Sequence, residues 1–204
     1  MKIKTHKSVF IYMLSIIFIT GCTKDETHFY PDPQMPDLAI FSNTGNNVST
    51  GIINGQPWRT FDRKYNGFAP PRYEVSINKQ YFDSVTDIIY IKWDGYLGGN
   101  QYNYLNVTLA MSVAKNFSLA DFSAMQGTRV TIDGMHNYFL AESQSNNTRG
   151  FGSIYFNVLQ FDSSAVTGGI QGKLSGLMEA DFNAFQLVSG RFDHDLVGRQ
   201  ILFY

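Results

Sequence analysis

Residues 104–113 read Tyr-Leu-Asn-Val-Thr-Leu-Ala-Met-Ser-Val, and this stretch decides the fold class. Apolar side chains stand at every second position, namely Leu105, Val107, Leu109, Met111 and Val113. Successive side chains of a β-strand point to opposite faces of a sheet. The alternation therefore predicts a strand with one face packed against a core.

Similar patterns recur on both sides of this stretch. Further strands are predicted at Tyr73–Ile77, Ile88–Trp93, Ser153–Phe161, Ile170–Met178, Phe185–His194 and Gln200–Tyr204. Gly, Asn and Asp pairs separate them, as at Asp94-Gly95 and Gly168-Gly169. Many short alternating strands joined by such turns predict an all-β domain. We expect an antiparallel β-sandwich or a small closed barrel.

One segment, Ser118–Gln126, departs from this period. Its apolar residues Leu119, Phe122 and Met125 are three apart. Ser118 followed three positions later by Asp121 matches a capping box, and Gly127 suits the C-terminal end. The sequence therefore predicts one short helix between strands.

The composition narrows the class of protein. The chain has 204 residues, of which 44% are hydrophobic, 15% aromatic and 16% charged, with one Cys and a net charge of −1. So many aromatic side chains exclude a disordered chain. A single Cys excludes a disulfide scaffold, and the charge excludes a strongly basic nucleic-acid binder.

The first 22 residues combine a cationic start with an apolar run. Lys2, Lys4 and Lys7 precede the apolar run Ser8–Thr20, which is shorter than the roughly 20 residues of a membrane-spanning helix. Ile19-Thr20-Gly21-Cys22 resembles the lipobox of bacterial lipoproteins. That resemblance implies that residues 1–21 are a signal peptide and that Cys22 is acylated as the first mature residue.

A plain secretory signal and an uncleaved signal anchor are the alternatives to a lipobox. Charge, run length, Gly21 and Cys22 all agree with the lipobox. Several acyl chains would hold the protein firmly to a bilayer. Removing residues 1–21 takes away three lysines and no acidic residue, which leaves thirteen basic and seventeen acidic residues and a net charge of −4.

The residues after Cys22 suggest where the protein is sent. Lys24, Asp25 and Glu26 resemble the Lys-acid-acid export signal of Bacteroidetes surface lipoproteins. The resemblance implies an outer-membrane protein that faces the cell exterior, with the periplasmic face as the alternative.

Residues 22–47 contain Pro31, Pro33 and Pro36 and are interpreted as an extended tether, although Leu38–Phe41 could already pack on the domain. Residues 48–204 have the length of a single domain.

Three short motifs resemble a group of Bacteroidetes lipoproteins of unknown function. They are Ile53-Asn-Gly-Gln-Pro-Trp58, Gly168-Gly-Ile-Gln-Gly-Lys-Leu-Ser-Gly176 and Ser189-Gly-Arg-Phe-Asp193. They resemble an opening strand with its turn, a hairpin strand and a final strand of that group. The resemblance implies a β-rich fold and an envelope location, and no functional residue is carried over from it.

Residues that could support catalysis are sparse. No Gly-x-Ser-x-Gly nucleophile elbow is present, and acylation would consume the thiol of Cys22. Asp193-His194-Asp195 is interpreted as a solvated strand end, because neighbouring side chains in a strand point to opposite faces. The sequence thus predicts no catalytic residue, metal or cofactor, and a hydrolase is the less favoured alternative.

Tyrosines provide the strongest hint of binding. Tyr96 and Tyr102 flank the glycine-rich stretch at residues 97–101, and tyrosine-rich loops are typical of adaptable recognition surfaces and of sugar stacking. Core packing is the alternative for both rings.

A modification is suggested at Ser84, because Asp83-Ser84-Val85 resembles the O-glycosylation motif of exported Bacteroidetes proteins.

Together these features predict a lipid-anchored outer-membrane lipoprotein without catalytic activity. We expect a binding or accessory module at the cell surface, with a glycan or an envelope protein as ligand. A structural or assembly subunit of an envelope or fimbria-like complex is the alternative. Nucleic acid is not expected as a partner.

Overall fold

The structure is a computed structural model that describes residues 29–60, 75–100, 102–163 and 169–203. Twelve strands and one α-helix lie in these ranges, which confirms an all-β fold with one short helix. The elements are β1 (Val48–Ile53), β2 (Gln56–Thr60), β3 (Val75–Tyr81), β4 (Thr86–Trp93), β5 (Gly95–Leu97), β6 (Leu105–Ala114), α1 (Leu119–Ser123), β7 (Arg129–Ile132), β8 (Tyr138–Ser143), β9 (Asn147–Ser163), β10 (Ile170–Asp181), β11 (Gln186–Val197) and β12 (Ile201–Leu202).

The strands form one curled sheet that makes half of a barrel. Their order is β12-β3-β4-β6-β8-β9-β10-β11-β1-β2-β5, and β7 pairs with β9 beside this path. Every pairing is antiparallel except that of β12 with β3, so the sheet is mixed. The parallel pair arises because a 3₁₀ turn at Gly198–Gln200 carries the chain from β11 to the edge of β3.

The long strand β9 belongs to both parts of the sheet. Residues Asn147–Gly150 pair with β8, whereas Phe151–Ser163 pair with β10. The two parts curl toward each other, so that Trp93 of β4 lies 5.4 Å from Phe192 of β11 between ring centroids. A single apolar core therefore fills the concave side of the sheet.

Strand β6 has the buried face that its alternation predicts. The inward-facing side chains Leu105, Val107, Leu109 and Met111 are all buried. The outer face of β6 is covered as well: Ala110 is fully buried and lies in register between Tyr90 of β4 and Tyr138 of β8. The two tyrosines thus cover the small residue between them.

Helix α1 covers an aromatic part of the core. Ser118 caps it as predicted: its Oγ accepts a hydrogen bond from the Asp121 backbone N–H, and the Asp121 carboxylate accepts one from the Ser118 backbone N–H. Phe122 is fully buried and stacks on Phe161 and Phe203, with centroids 5.5 and 6.2 Å away. The helix therefore links β9 to the C-terminal end of the chain.

Substitution Phe122→Ala tests this packing. We expect the free energy of unfolding to fall by about 3–5 kcal/mol, because the change removes buried apolar contacts and leaves a cavity. Denaturant unfolding measures the loss. Met135→Ala, at a side chain that is 75% exposed, is the control and should shift stability by no more than about 0.5 kcal/mol. Equal effects of the two changes would contradict the role of α1.

Candidate functional site

Several connections meet at one end of the sheet, which we call the turn end. It contains the β1–β2 turn at Asn54–Gly55, the β10–β11 turn after Asp181, and the β5–β6 connection with Tyr102. The Gly98 backbone N–H donates to the Pro57 carbonyl oxygen at 2.8 Å, which joins the β5–β6 connection to β2. Because short turns on paired strands build this end of the sheet, its side chains are held by regular secondary structure.

A pocket of about 400 Å³ lies at the turn end, between the β1–β2 and β10–β11 turns. This volume falls in the range of small-molecule sites. Its lining residues are Asn54, Gly55, Asp181, Asn183, Ala184, Phe185, Gln186 and Val188. Asn54 and Gly55 have φ of 49° and 75°, as a two-residue hairpin turn with positive φ at both positions requires.

The polar wall of the pocket is organised by Asp181. One of its carboxylate oxygens accepts a hydrogen bond from the Asn183 backbone N–H, and the other accepts one from Gln186 Nε2, both at 2.8 Å. These hydrogen bonds orient the carboxylate and the Gln186 amide. Asn54 and Asn183 add further side-chain amides around the same opening.

The apolar wall consists of an aromatic ring and a branched side chain. Phe185 stacks on the fully buried Phe182, with ring centroids 4.7 Å apart, so its ring is held in place. Val188 reaches the surface beside a bulge in β11, where the register with β1 shifts and Ser189 adopts a φ of 53°. Bulges of this kind redirect side chains next to binding sites.

This arrangement suits a polyhydroxylated ligand. Carboxylate and amide groups donate to and accept from hydroxyls, and an aromatic ring contacts the C–H face of a sugar. Among the described lining residues, Asp181 is the one carboxylate. Glycoside hydrolysis ordinarily uses a pair of carboxyl groups.

The two tyrosines predicted for ligand binding occupy different environments. Tyr102 is 76% exposed at the turn end, and its carbonyl oxygen accepts a hydrogen bond from Gln144 Nε2 at 3.0 Å. Tyr96 is only 8% exposed, because it lies within β5 in register with Arg59. Neither residue lines the pocket, and because Tyr96 is largely buried the two rings do not form one exposed platform.

Ser84 lies at the opposite end of the sheet. It is exposed in the β3–β4 turn, between the exposed side chains of Phe82 and Val85. The Val85 and Thr86 backbone N–H groups donate to Asp83 at 2.8 Å each, and these bonds lower the pKa of the Asp83 carboxyl. The hydroxyl of Ser84 is thus presented on a rigid turn.

The predicted lipidation and export residues, Cys22, Lys24, Asp25 and Glu26, lie outside the described residues. Within the described ranges, no group of three or more His, Cys, Asp or Glu side chains is arranged to hold a metal ion. The described helix is too short to cross a membrane.

The interpretation of Asp193-His194-Asp195 as a solvated strand end is wrong. His194 is 2% exposed and points into the concave side, where its Nε2 lies 2.7 Å from Ser49 Oγ. Asp193 is also buried, because residues 42–46 fold over it. Its carboxylate accepts hydrogen bonds from the Ser42 hydroxyl and from the Gly45 and Asn46 backbone N–H groups.

The described part of the predicted tether, residues 29–47, packs against the sheet. Leu38 is fully buried, and the Ala39 backbone N–H donates to Thr50 Oγ1 at 3.0 Å. Arg191 of β11 forms an ion pair with Asp32 and donates to the Ala39 carbonyl oxygen at 2.9 Å. This hydrogen-bonded pairing lowers the pKa of the Asp32 carboxyl.

No known protein family, curated protein or solved structure matches this chain.

Substitution Arg191→Gln should loosen the N-terminal segment. We expect faster hydrogen exchange at the Ala39 and Ile40 backbone amides, because the ion pair that holds this segment is lost. The folded pKa of Asp32 lies below its ordinary 3.8, so the pairing is fully present well above that pH and is lost as the pH falls below it. Wild-type exchange, corrected for the intrinsic rate, should therefore approach that of the variant in acid.

The matched control is Arg129→Gln on β7, which removes an exposed cation away from the segment. Unchanged exchange at Ala39 in Arg191→Gln, or equal acceleration in both variants, would contradict this account of the segment.

Proposed function

We propose that this protein is a lipid-anchored glycan-binding module of the outer-membrane surface. The observation that carries the proposal is the pocket at the turn end, where a fixed carboxylate and amides face an aromatic ring. A few convergent polar groups beside an apolar wall are a usual mark of a small-molecule site. The pocket suits a sugar better than a protein ligand, because its polar groups converge on a small volume.

The rigid construction of the pocket supports a binding role. Gln186 is fixed by Asp181 and Phe185 by Phe182, so little conformational entropy is lost when a ligand binds. The walls come from strand ends and two short turns. A preorganised site of this kind binds hydroxyl groups without a large rearrangement.

The location rests on the N-terminal sequence. Ile19–Cys22 supplies the lipobox-like motif, and Lys24, Asp25 and Glu26 supply the export-like signal. A surface anchor places a small binding domain where extracellular polysaccharide is first met. An assembly subunit would need the same anchor, so the anchor does not distinguish a binding role from an assembly role. The experiments below do.

Substitution Gln186→Ala should weaken glycan binding at least tenfold. The change removes a neutral side-chain hydrogen bond to the ligand and the amide that orients the Asp181 carboxylate, and we expect these two losses together to cost about 1.4 kcal/mol or more. A glycan array on the full chain in detergent identifies the ligand, and calorimetry with that ligand gives the affinities. Asp181→Ala should weaken binding further.

Asp162→Ala is the charge-matched control for Asp181→Ala, because Asp162 is exposed on β9 far from the pocket. It should bind as the wild type does, and circular dichroism should show all variants folded. An array on which no glycan binds would overturn the proposal, and stoichiometric recovery in an envelope complex would favour the assembly role.

Substitution Cys22→Ser should release the protein from the membrane. We expect loss of labelled fatty-acid incorporation and transfer of the chain to the soluble fraction, because no thiol remains to be acylated. Replacing Lys24, Asp25 and Glu26 by Ala should keep acylation and protect the domain from protease added to intact cells. If Cys22→Ser stayed fully in the membrane fraction without acylation, the assignment of Cys22 as the membrane anchor would be contradicted.

A further inference from the structure

An exposed arginine stacks on an aromatic ring on the outer face of β8 and β9. The guanidinium of Arg149 in β9 lies 3.9 Å above the ring centroid of Tyr138 in β8. Stacking of this kind orients the planar cation and leaves its edge N–H groups free to bond outward. Arg149 therefore presents a directed positive group to the solvent.

A second tyrosine lies near this aromatic ring. Tyr138 and Tyr90 lie on neighbouring strands, on either side of the buried Ala110. Burial, followed by the neighbouring Tyr138, raises the pKa of Tyr90. The Tyr90 hydroxyl therefore stays protonated at neutral pH.

The charge of Arg149 is not neutralised within the described part of the chain. No carboxylate there forms an ion pair with it, and Glu142, the acidic residue on the adjacent strand β8, lies 3.9 Å from Lys92 Nζ instead. Arginine stays protonated at every accessible pH and binds carboxylates through two parallel hydrogen bonds. An anionic group is therefore the natural ligand of this position.

Strand register places Phe151 between Arg149 and the pocket residue Asp181. Arg149 and Phe151 are alternate residues of β9 and share its outer face, about 7 Å apart. Phe151 is 48% exposed and pairs directly with Asp181, which lines the pocket about 5 Å further on. A ligand that spans this distance must be longer than a single sugar ring.

We propose that the ligand is an acidic oligosaccharide whose neutral end fills the pocket and whose carboxylate-bearing sugar binds Arg149. This inference rests on the proposed glycan-binding function. The two ends of the site differ in charge: Asp181 repels a carboxylate and accepts hydroxyl hydrogens, whereas Arg149 attracts a carboxylate. Phe151 provides an apolar contact for the ring between them.

Paired polysaccharide probes test the proposal. The full chain in detergent is titrated with oligosaccharides of hyaluronan and unsulfated chondroitin, in which neutral and carboxylate-bearing sugars alternate, each beside its carboxyl-reduced counterpart. We expect at least one acidic probe to bind about tenfold or more tightly than its reduced form, as a charge-assisted bidentate pair would give. Arg149→Gln should abolish this difference and leave affinity for the reduced form unchanged.

Arg129→Gln, which removes an exposed cation from β7, is the matched control and should keep the preference. Arg149→Lys should retain part of it, because the charge remains while the planar two-point contact is lost. Equal binding of acidic and reduced forms, or a preference that survives Arg149→Gln, would overturn the inference and leave the proposed function standing. Failure of every glycan, acidic or neutral, would overturn both.

Discussion

The bend in β9 is the constraint on which the rest of the structure depends. The strand must leave β8 and join β10 while it keeps its apolar face on the concave side. This requires β9 and β10 to approach closely at the bend. A Cβ atom at Gly150 would lie 2.5 Å from the Asp181 carbonyl oxygen, and one at Gly152 would overlap the Glu179 carbonyl oxygen. Glycine at both positions permits the bend.

The same bend places the candidate binding surface. It brings Asp181, at the end of β10, beside the outward-facing Phe151. It also leaves Arg149 on the part of β9 that pairs with β8, next to the tyrosine platform. Pocket, aromatic contact and cation are thus arranged along one convex surface by a single feature of the sheet. On the concave side of the bend, Gly150 lies against the ring of the fully buried Phe182.

Local patterns in the sequence predict local structure well. The alternation in residues 104–113 predicts β6, and Ser118 with Asp121 predicts the cap of α1. The sequence does not reveal which residues far apart in the chain come into contact. His194 is buried because a segment 145 residues away in the chain supplies Ser49, and the pocket forms because strand register brings the β1–β2 turn beside the β10–β11 turn. Neither neighbour relation leaves a periodic signal in the sequence.

The most direct test of this account is a titration of the isotope-labelled full chain with the best-binding acidic oligosaccharide, followed by amide chemical-shift mapping. The account predicts perturbations that start at Asp181 and Gln186, cross Phe151 and end at Arg149. Perturbations centred on the β3–β4 turn around Ser84, at the opposite end of the sheet, would contradict it. The account would also be contradicted if the ligand reached saturation while the amide chemical shifts along β9 stayed unchanged.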